Sequence, residues 1–220
     1  MRNILIVAGG AVAVAAIVAG VYFGTRPNTS PASAPVAAAT TPDKNALLQL
    51  QPSDHVLGDP KAPITIIEYA SLTCSHCAAF HVLTLPELKK RWIDTGKARL
   101  IFRDYPLDQA AAKAAQLAEC AGNERYFAVL DMMFRGQAQW AAAADPVAEV
   151  AKSLRIAGMG DAEVKACLAD DSKANAVVND FRGGETLGVN STPSFFINGT
   201  PYRGSRTIED LEGVLGKLVK

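Results

Sequence analysis

The sequence predicts an α/β fold in which a run of helices is inserted into a small sheet. Two short apolar strands at residues 64–69 and 98–103 enclose a helical pattern, which is the order of a parallel strand–helix–strand unit. Residues 108–187 then carry only helical patterns. Strand patterns return at residues 192–203, and an amphipathic helix at 207–219 follows them. The predicted architecture is therefore βαβ, an inserted all-helical subdomain, and ββα.

The helix predicted at residues 75–93 begins beside a pair of cysteines and contains a proline. Pro86 lies near its middle, so a kink or a break is expected there, because proline lacks the N–H that a helix interior needs. The side chains predicted to form its buried face are Phe80, Leu83, Leu88 and Trp92.

The insertion is predicted to contain five helices. They lie at residues 108–121, at 124–137, from 146 onward, at 161–168 and at 172–187. The third helix has a clear start signal, because Asp145 can cap its first amides and Pro146 suits the first helical position. After the insertion, Asn198-Gly199 separates two short strands, which predicts a β-hairpin.

Charge and composition exclude one broad class of function. The 220 residues include 22 basic and 22 acidic side chains, and the basic residues form no dense run. Nucleic-acid binding is therefore not expected, because neutralising phosphates requires clustered lysine and arginine.

The N-terminal segment, residues 1–24, predicts a membrane anchor or a secretion signal. Residues 4–23 are apolar and uncharged, and about 20 such residues can cross a bilayer. An uncleaved anchor is favoured, because the apolar region of a removed signal is usually shorter. The small residues Ala19 and Gly20 leave cleavage as the alternative. Either segment would send the rest of the chain out of the cytoplasm, where disulfides persist.

Residues 25–45 are rich in proline, alanine, threonine and serine, which predicts a semi-extended linker. The folded domain is accordingly expected at residues 46–220, with its helical insertion at about 108–187.

The motif Cys74-Ser75-His76-Cys77 stands between the first strand and the first helix. Two thiols at this spacing can close a disulfide across one helical turn. Cys74 lies at the helix N-terminus, where unpaired amides and the helix dipole stabilise a thiolate. Redox chemistry is favoured over a static disulfide and over a zinc site, since zinc needs four ligands and there is no second C-x-x-C. No metal and no cofactor are therefore expected. The histidines available to a zinc site are His55, His76 and His81.

Two further side chains near the motif are candidate catalytic groups. Glu68 stands in an otherwise apolar strand, where burying a carboxylate is costly. The alternative for Glu68 is an exposed or salt-bridged position at the strand end. His76 directly precedes Cys77 and could stabilise the Cys74 thiolate. The alternative for His76 is a helix residue that faces solvent.

Three segments of the chain carry a resemblance to a known family. Residues 68–77 combine the strand with C-x-x-C, residues 102–107 lead into the insertion, and residues 188–199 contain a Thr-Pro loop followed by a hairpin. With these segments, residues 50–219 resemble the DsbA-like disulfide oxidoreductases of bacterial envelopes, which have a thioredoxin-like fold with a helical insertion. The sequence departs from the best-studied oxidases of that family between the two cysteines, where it has Ser-His instead of Pro-His.

The resemblance implies roles for individual residues. Cys74 is the expected nucleophile and Cys77 the leaving thiol, while Glu68 is expected to exchange a proton with Cys77 through water. The bond between Thr192 and Pro193 is expected to be cis, which would present the Thr192 backbone to an extended substrate peptide.

A second cysteine pair, Cys120 and Cys167, is present in some members of the family and absent from others. Because the pairing of Cys74 with Cys77 leaves these two for each other, a structural disulfide is expected in an oxidising compartment. It would stabilise the fold by about 4 kcal/mol in the chain-entropy model. The alternative is a second redox relay.

The expected function is that of a dithiol oxidase, located in the periplasm or otherwise outside the cytoplasm, that introduces disulfides into secreted or envelope proteins. The expected partners are reduced secreted chains and a quinone-linked membrane reoxidase. A reductase or isomerase of the same fold is one alternative. The other is a non-catalytic peptide-binding or chaperone module.

Overall fold

The computed structural model of the protein describes residues 43–219, and this part is built on a five-stranded mixed sheet. The strands are β1 (His55–Leu57), β2 (Ile64–Ala70), β3 (Ala98–Asp104), β4 (Ser194–Ile197) and β5 (Thr200–Tyr202). Their order across the sheet is β1-β3-β2-β4-β5. As the sequence predicts, β2 and β3 are parallel, whereas the other neighbouring pairs are antiparallel.

Helices cover both faces of this sheet. They are α1 (Lys44–Leu47), α2 (residues 75–93), α3 (Gln109–Glu119), α4 (Tyr126–Arg135), α5 (Gln137–Trp140), α6 (Pro146–Ile156), α7 (Asp161–Leu168), α8 (Asp171–Leu187) and α9 (Ile208–Leu215). Helix α2 joins β2 to β3, helices α3 to α8 lie between β3 and β4, and α9 follows the hairpin. The predicted α/β fold with an all-helical insertion is confirmed.

Strand β2 occupies the centre of the sheet, which accounts for its continuous apolar, β-branched sequence. Ile66 pairs with Leu100 of β3 on one side and with Ile197 of β4 on the other. Ile66 also packs in one core cluster with residues of α2 and α9. Ile67 and Tyr69 pack in a second cluster that includes residues of α8. Successive side chains of β2 therefore pack on opposite faces of the sheet, in two separate core clusters.

Helix α2 is not broken at its proline. Two wider π-helical turns, Phe80–Thr84 and Lys89–Ile93, flank the α-helical turn that contains Pro86. Each residue of a π-helix rotates less about the axis than in an α-helix, so the buried face shifts along the sequence. Leu83 is 72 % exposed, and His81 is buried instead. The prediction that Leu83 belongs to the buried face is therefore wrong, whereas the other three predicted side chains are buried.

The helices of the insertion follow the predicted order, and their caps explain where they begin. Asp108 accepts a hydrogen bond from the amide of Ala111 (2.8 Å), and Asp145 accepts one from the amide of Ala148 (3.0 Å). The sequence did not predict β1, α1 or α5. Each of these elements has only three or four residues, which is too short to produce a clear periodicity.

A disulfide between Cys120 and Cys167 joins the end of α3 to α7. The two Cα atoms are 6.1 Å apart, and the cysteines are separated by 47 positions in the sequence. Beside it, the Gln116 side-chain amide donates to the carbonyls of Cys167 (2.8 Å) and Asp170 (3.2 Å). The disulfide and these hydrogen bonds hold together three helices of the insertion.

A buried arginine of β3 fastens the segment before β1 to the sheet. Arg103 donates to both carboxylate oxygens of Asp54, each at 2.8 Å. It also donates to the carbonyls of Leu47 and Gln49 and to the hydroxyl of Tyr69. Arg103 and Asp54 are each 2 % exposed in their side chains, so this ion pair is almost fully removed from water.

The expected anchor at residues 4–23 and most of the expected linker at 25–45 lie outside the described residues. Helix α1 begins within the last residues of that expected linker. Within residues 43–219, no helix has both the length and the hydropathy that a bilayer crossing requires.

Candidate active site

Cys74 is the N-cap residue of α2 and follows the loop that leaves the carboxyl end of β2. Its own amide donates to the carbonyl of Ser71 (3.1 Å), which closes a tight turn. Gln137 of α5 donates its side-chain amide to the carbonyls of Leu72 (2.7 Å) and Cys74 (3.0 Å). The loop is therefore fixed both by its own turn and by the helical insertion.

The pKa of Cys74 is lowered from an ordinary value of 9.0 to about 5. The largest cause is the hydrogen bond from the Cys77 thiol, which burial partly opposes. The side chain of Thr192 and the backbone amides of Cys77 and His76 lower the pKa of Cys74 further. In the thiol form, Cys74 Sγ donates to the Thr192 carbonyl at 3.4 Å. The Cys74 thiolate therefore predominates at neutral pH.

Cys77 has the opposite environment, although it is only three residues away. It is fully buried, and both cysteines of the pair are free thiols in the structure. Burial raises the pKa of Cys77 above its ordinary value, and the hydrogen bond to Cys74 and the charge of Glu68 raise it further. Cys77 therefore keeps its proton under conditions in which Cys74 has lost its own.

His76 lies on the exposed side of α2. Its backbone amide is one of the groups that lower the pKa of Cys74. Its imidazole makes no hydrogen bond to any residue between 43 and 219. The backbone amide of His76 thus acts on the Cys74 sulfur, whereas its side chain is exposed to solvent.

Glu68 and His81 form a buried pair beneath the thiols. Glu68 is fully buried and His81 is 2 % exposed, and His81 Nε2 lies 2.9 Å from Glu68 Oε2. Glu68 is thus not exposed, and β2 continues beyond it to Ala70, but it is paired with a histidine as the salt-bridged alternative allowed. The sequence presented His81 only as a zinc candidate. Its position four residues after Cys77 is the signal that places both side chains on one face of the helix.

The loop that faces the thiols contains Thr192 and Pro193, and the peptide bond between them is cis. Pro193 lines a polar groove of about 380 Å³ that continues along β4 and the hairpin. Arg203 and Arg206, both exposed, lie in the same groove. The Thr192 hydroxyl is buried and has no hydrogen-bond partner among residues 43–219. The loop thus places a carbonyl at Cys74 and a groove beside it.

Comparison with known proteins shows to which family this chain belongs. A family model described as thioredoxin matches residues 50–217. The crystal structure of alpha-DsbA1 from Wolbachia pipientis superposes with a TM-score of 0.74. The two proteins are 34 % identical, and the match covers 80 % of this chain and 96 % of that one. The chain belongs to the DsbA-like family.

Further relatives of this DsbA-like protein agree with that assignment. A Rickettsia conorii protein named as a protein-disulfide oxidoreductase is 32 % identical over 171 residues, which cover 76 % of this chain and 61 % of the relative. The chain thus spans about three fifths of the length of that relative. BdbD from Bacillus subtilis, at 17 % identity and a TM-score of 0.67 over 76 % of this chain and 92 % of that one, has the same fold.

The remaining histidine of the DsbA-like domain is engaged away from the thiols. His55 Nε2 lies 3.1 Å from Glu119 Oε1, and its ring stacks on Tyr126 with centroids 3.6 Å apart. Within residues 43–219, no three histidine, cysteine or acidic side chains are grouped so as to hold a metal ion.

Proposed function

We propose that this DsbA-like protein is an extracytoplasmic thiol–disulfide oxidoreductase that introduces disulfides into secreted or envelope proteins through Cys74 and Cys77. The observation that carries the proposal is the opposite shift of the two pKa values, down to about 5 for Cys74 and upward for Cys77. A structural disulfide has no need of such an asymmetry, whereas thiol exchange needs one sulfur that attacks and leaves easily.

The exchange begins from the oxidised pair. The thiolate of a substrate cysteine attacks Cys74 Sγ, so a bond forms between these two sulfurs and the Cys74–Cys77 bond breaks. The electron pair of the broken bond leaves with Cys77, which takes up a proton. A second substrate cysteine, after losing its proton, attacks the substrate sulfur and expels Cys74 as a thiolate. The substrate has then lost two electrons and the cysteine pair has gained them.

The low pKa of Cys74 favours the oxidase direction. A stabilised thiolate is a better leaving group, and it stabilises the reduced pair relative to the disulfide. The Thr192 hydroxyl, buried without a partner when Cys74 is a thiol, is available to bind the thiolate. His76 contributes its backbone amide at the same sulfur.

The substrate peptide is proposed to bind beside Pro193. An extended chain there could pair with the Thr192 backbone as an added strand and continue into the polar groove. Glu68, whose charge acts on Cys77, is proposed as the acid that serves this thiol.

The location and the reoxidising partner are proposed from the sequence. Residues 4–23 are apolar enough to anchor the chain in a membrane, and the Cys120–Cys167 disulfide suits an oxidising compartment. A quinone-linked membrane protein is the proposed reoxidant. In cells that produce the full chain, a membrane-impermeant thiol reagent should modify Cys74 once the Cys74–Cys77 pair has been reduced with a membrane-permeant dithiol. Protection of Cys74 in intact cells, with modification after lysis, would contradict the location.

The direction of exchange is tested by the reduction potential of the Cys74–Cys77 pair, measured by equilibration with glutathione. An oxidase is expected above about −180 mV, whereas a value near about −270 mV would favour a reductase. Cys77→Ser serves as the control, because it cannot form the disulfide. If the wild-type protein neither oxidises nor reduces a dithiol peptide, a peptide-binding module replaces the redox proposal.

A further inference from the structure

The buried pair of Glu68 and His81 suggests how a proton reaches Cys77. When the Cys74–Cys77 bond breaks, a thiolate forms on a sulfur that is fully buried. Glu68 is also fully buried, and in its ionised form it lies close enough to raise the pKa of that sulfur. Glu68 Oε1 has no hydrogen-bond partner among residues 43–219, while Oε2 is bonded to His81. Oε2 is thus engaged with His81, whereas Oε1 remains free to exchange a proton with Cys77.

Three aromatic rings hold the imidazole of His81 in one orientation. It stacks on Phe134 with centroids 4.1 Å apart, and it meets Phe80 and Phe102 edge-on, each at 5.6 Å. The same α2 face carries Cys77 one turn earlier. The ring is therefore fixed with Nε2 on Glu68 and cannot turn away without displacing these neighbours.

His81 is also one of the residues that line a surface cavity of about 420 Å³. Its lining is mainly apolar and includes Leu85, Pro86 and Phe127 besides His81 itself. It lies outside the groove of Pro193, with which it shares no lining residue. The only described side chain that lines this cavity and also contacts Glu68 by a hydrogen bond is His81.

The charged groups around this cavity come from α2 and α4. Lys89 of α2 is bonded to Asp94 at 2.6 Å, and Arg135 of α4 is bonded to Asp131 at 2.8 Å. All four are partly exposed, so solvent screens their influence. On the sheet, the positions that pair with Glu68 carry Phe102 of β3 and Phe195 of β4, which do not titrate.

We propose that His81 is the proton-transfer partner of Glu68, and that solvent protons reach Cys77 from the cavity through His81 and then Glu68. This inference rests on the proposed function. Before the exchange, Glu68 is protonated at Oε1 and His81 is neutral with its proton on Nε2. As Cys77 leaves, its sulfur takes the proton from Glu68 Oε1 and Oε2 takes the Nε2 proton of His81. His81 then takes a proton at Nδ1 from water. One solvent proton enters and one S–H bond forms, so charge and atoms balance. When Cys77 is oxidised, the steps run in reverse.

The test compares His81→Gln with His55→Gln in the full-length protein. Glutamine can still donate to Glu68 but cannot titrate. His55 is the matched control, because it too is a buried histidine bonded to a glutamate and lies away from the thiols. The measurement is the second-order rate of oxidation of a reduced dithiol peptide across pH 5 to 9, together with the ultraviolet titration of the Cys74 thiolate.

His81→Gln is expected to slow oxidation by at least about tenfold at neutral pH and to change the shape of the pH profile. The Cys74 titration should stay as in the wild type, and His55→Gln should keep the wild-type profile. A wild-type pH profile in His81→Gln would overturn the inference while leaving the proposed function intact. An equal loss in both variants at every pH would also overturn it, since that is the result of a structural role. An inactive wild-type protein would instead remove the proposed function.

A measurement on the wild-type protein covers the case in which His81→Gln does not fold. The ¹⁵N chemical shifts of His81 report which ring nitrogens carry protons. They are expected to differ between the oxidised and the reduced protein. Glu68 and His81 pass a proton to Cys77 when the disulfide is reduced, and they accept it when the disulfide forms again. Identical shifts and identical titration of His81 in both redox states would overturn the inference.

Discussion

At the scale of single residues, the two thiols of the motif differ because different groups surround them. The Cys77 thiol donates toward Cys74, which makes the buried cysteine the main stabiliser of its partner's charge. The helix start adds the amides of His76 and Cys77. Reactivity at Cys74 thus depends on keeping Cys77 protonated.

Removing the Cys77 donor should raise the pKa of Cys74. In Cys77→Ala the hydrogen bond is lost, and the thiolate titration should move upward from about 5 by roughly one pH unit or more. In Cys77→Ser a hydroxyl donor remains, so most of the depression should persist. Ultraviolet absorbance of the thiolate measures both. Equal titrations in the two variants would show that the hydrogen bond is not the main cause.

The lowered pKa of Cys74 also predicts how the stability of the reduced protein depends on pH. The folded value of about 5 lies below the ordinary value of 9.0, so the unfolded chain holds the proton more tightly. The stabilisation is fully present above pH 9 and is lost as the pH falls from 9 to 5. Cys74 is partly exposed, which makes the effect modest.

This dependence is measured by chemical denaturation of the reduced wild type and of reduced Cys74→Ser from pH 5 to 9. The difference in unfolding free energy between them should shrink as the pH falls. A constant difference would contradict the assigned pKa. The raised pKa of Cys77 keeps that thiol protonated in the folded state over the same range.

At the scale of elements, the segment before β1 depends on one ion pair with β3. Asp54→Ala would leave the Arg103 guanidinium buried without its carboxylate, which should lower the free energy of unfolding by about 3–5 kcal/mol. Asp94→Ala is the matched control, because it breaks the exposed pair with Lys89 and should change stability by less than about 1 kcal/mol. Urea denaturation of both variants measures the contrast. Similar losses in the two would refute it.

The elements also show where sequence patterns suffice. Strand β2 was predictable because a central strand needs a continuous apolar run, and α6 because Asp145 and Pro146 mark its start. The buried face of α2 was not fully predictable, since a π turn depends on the packing around it. Cys74 and Cys77 follow from their motif alone. The contact of Thr192 with Cys74 spans 118 positions and could be expected only from a resemblance to a known family.

At the scale of the whole molecule, the insertion packs on the sheet and also carries a disulfide of its own. Cys120→Ser combined with Cys167→Ser should lower the free energy of unfolding by about 4 kcal/mol, because the bridge closes a loop across 47 positions. Thiol exchange at Cys74 should persist in the folded variant. Both properties are compared with the wild type while the Cys74–Cys77 pair is held in the same redox state. Loss of exchange in a folded variant would favour a second redox relay.

The side-chain amide of Gln137 has a mechanical consequence for the entire domain. This amide donates hydrogen bonds to two carbonyls of the loop that carries Cys74, and Gln137 belongs to α5, a helix of only four residues. The insertion and the nucleophile are therefore tethered as one body. A displacement of α5 would therefore also shift the backbone of Cys74. A substrate chain that contacts the helices of the insertion would in this way change the position of the sulfur that it attacks.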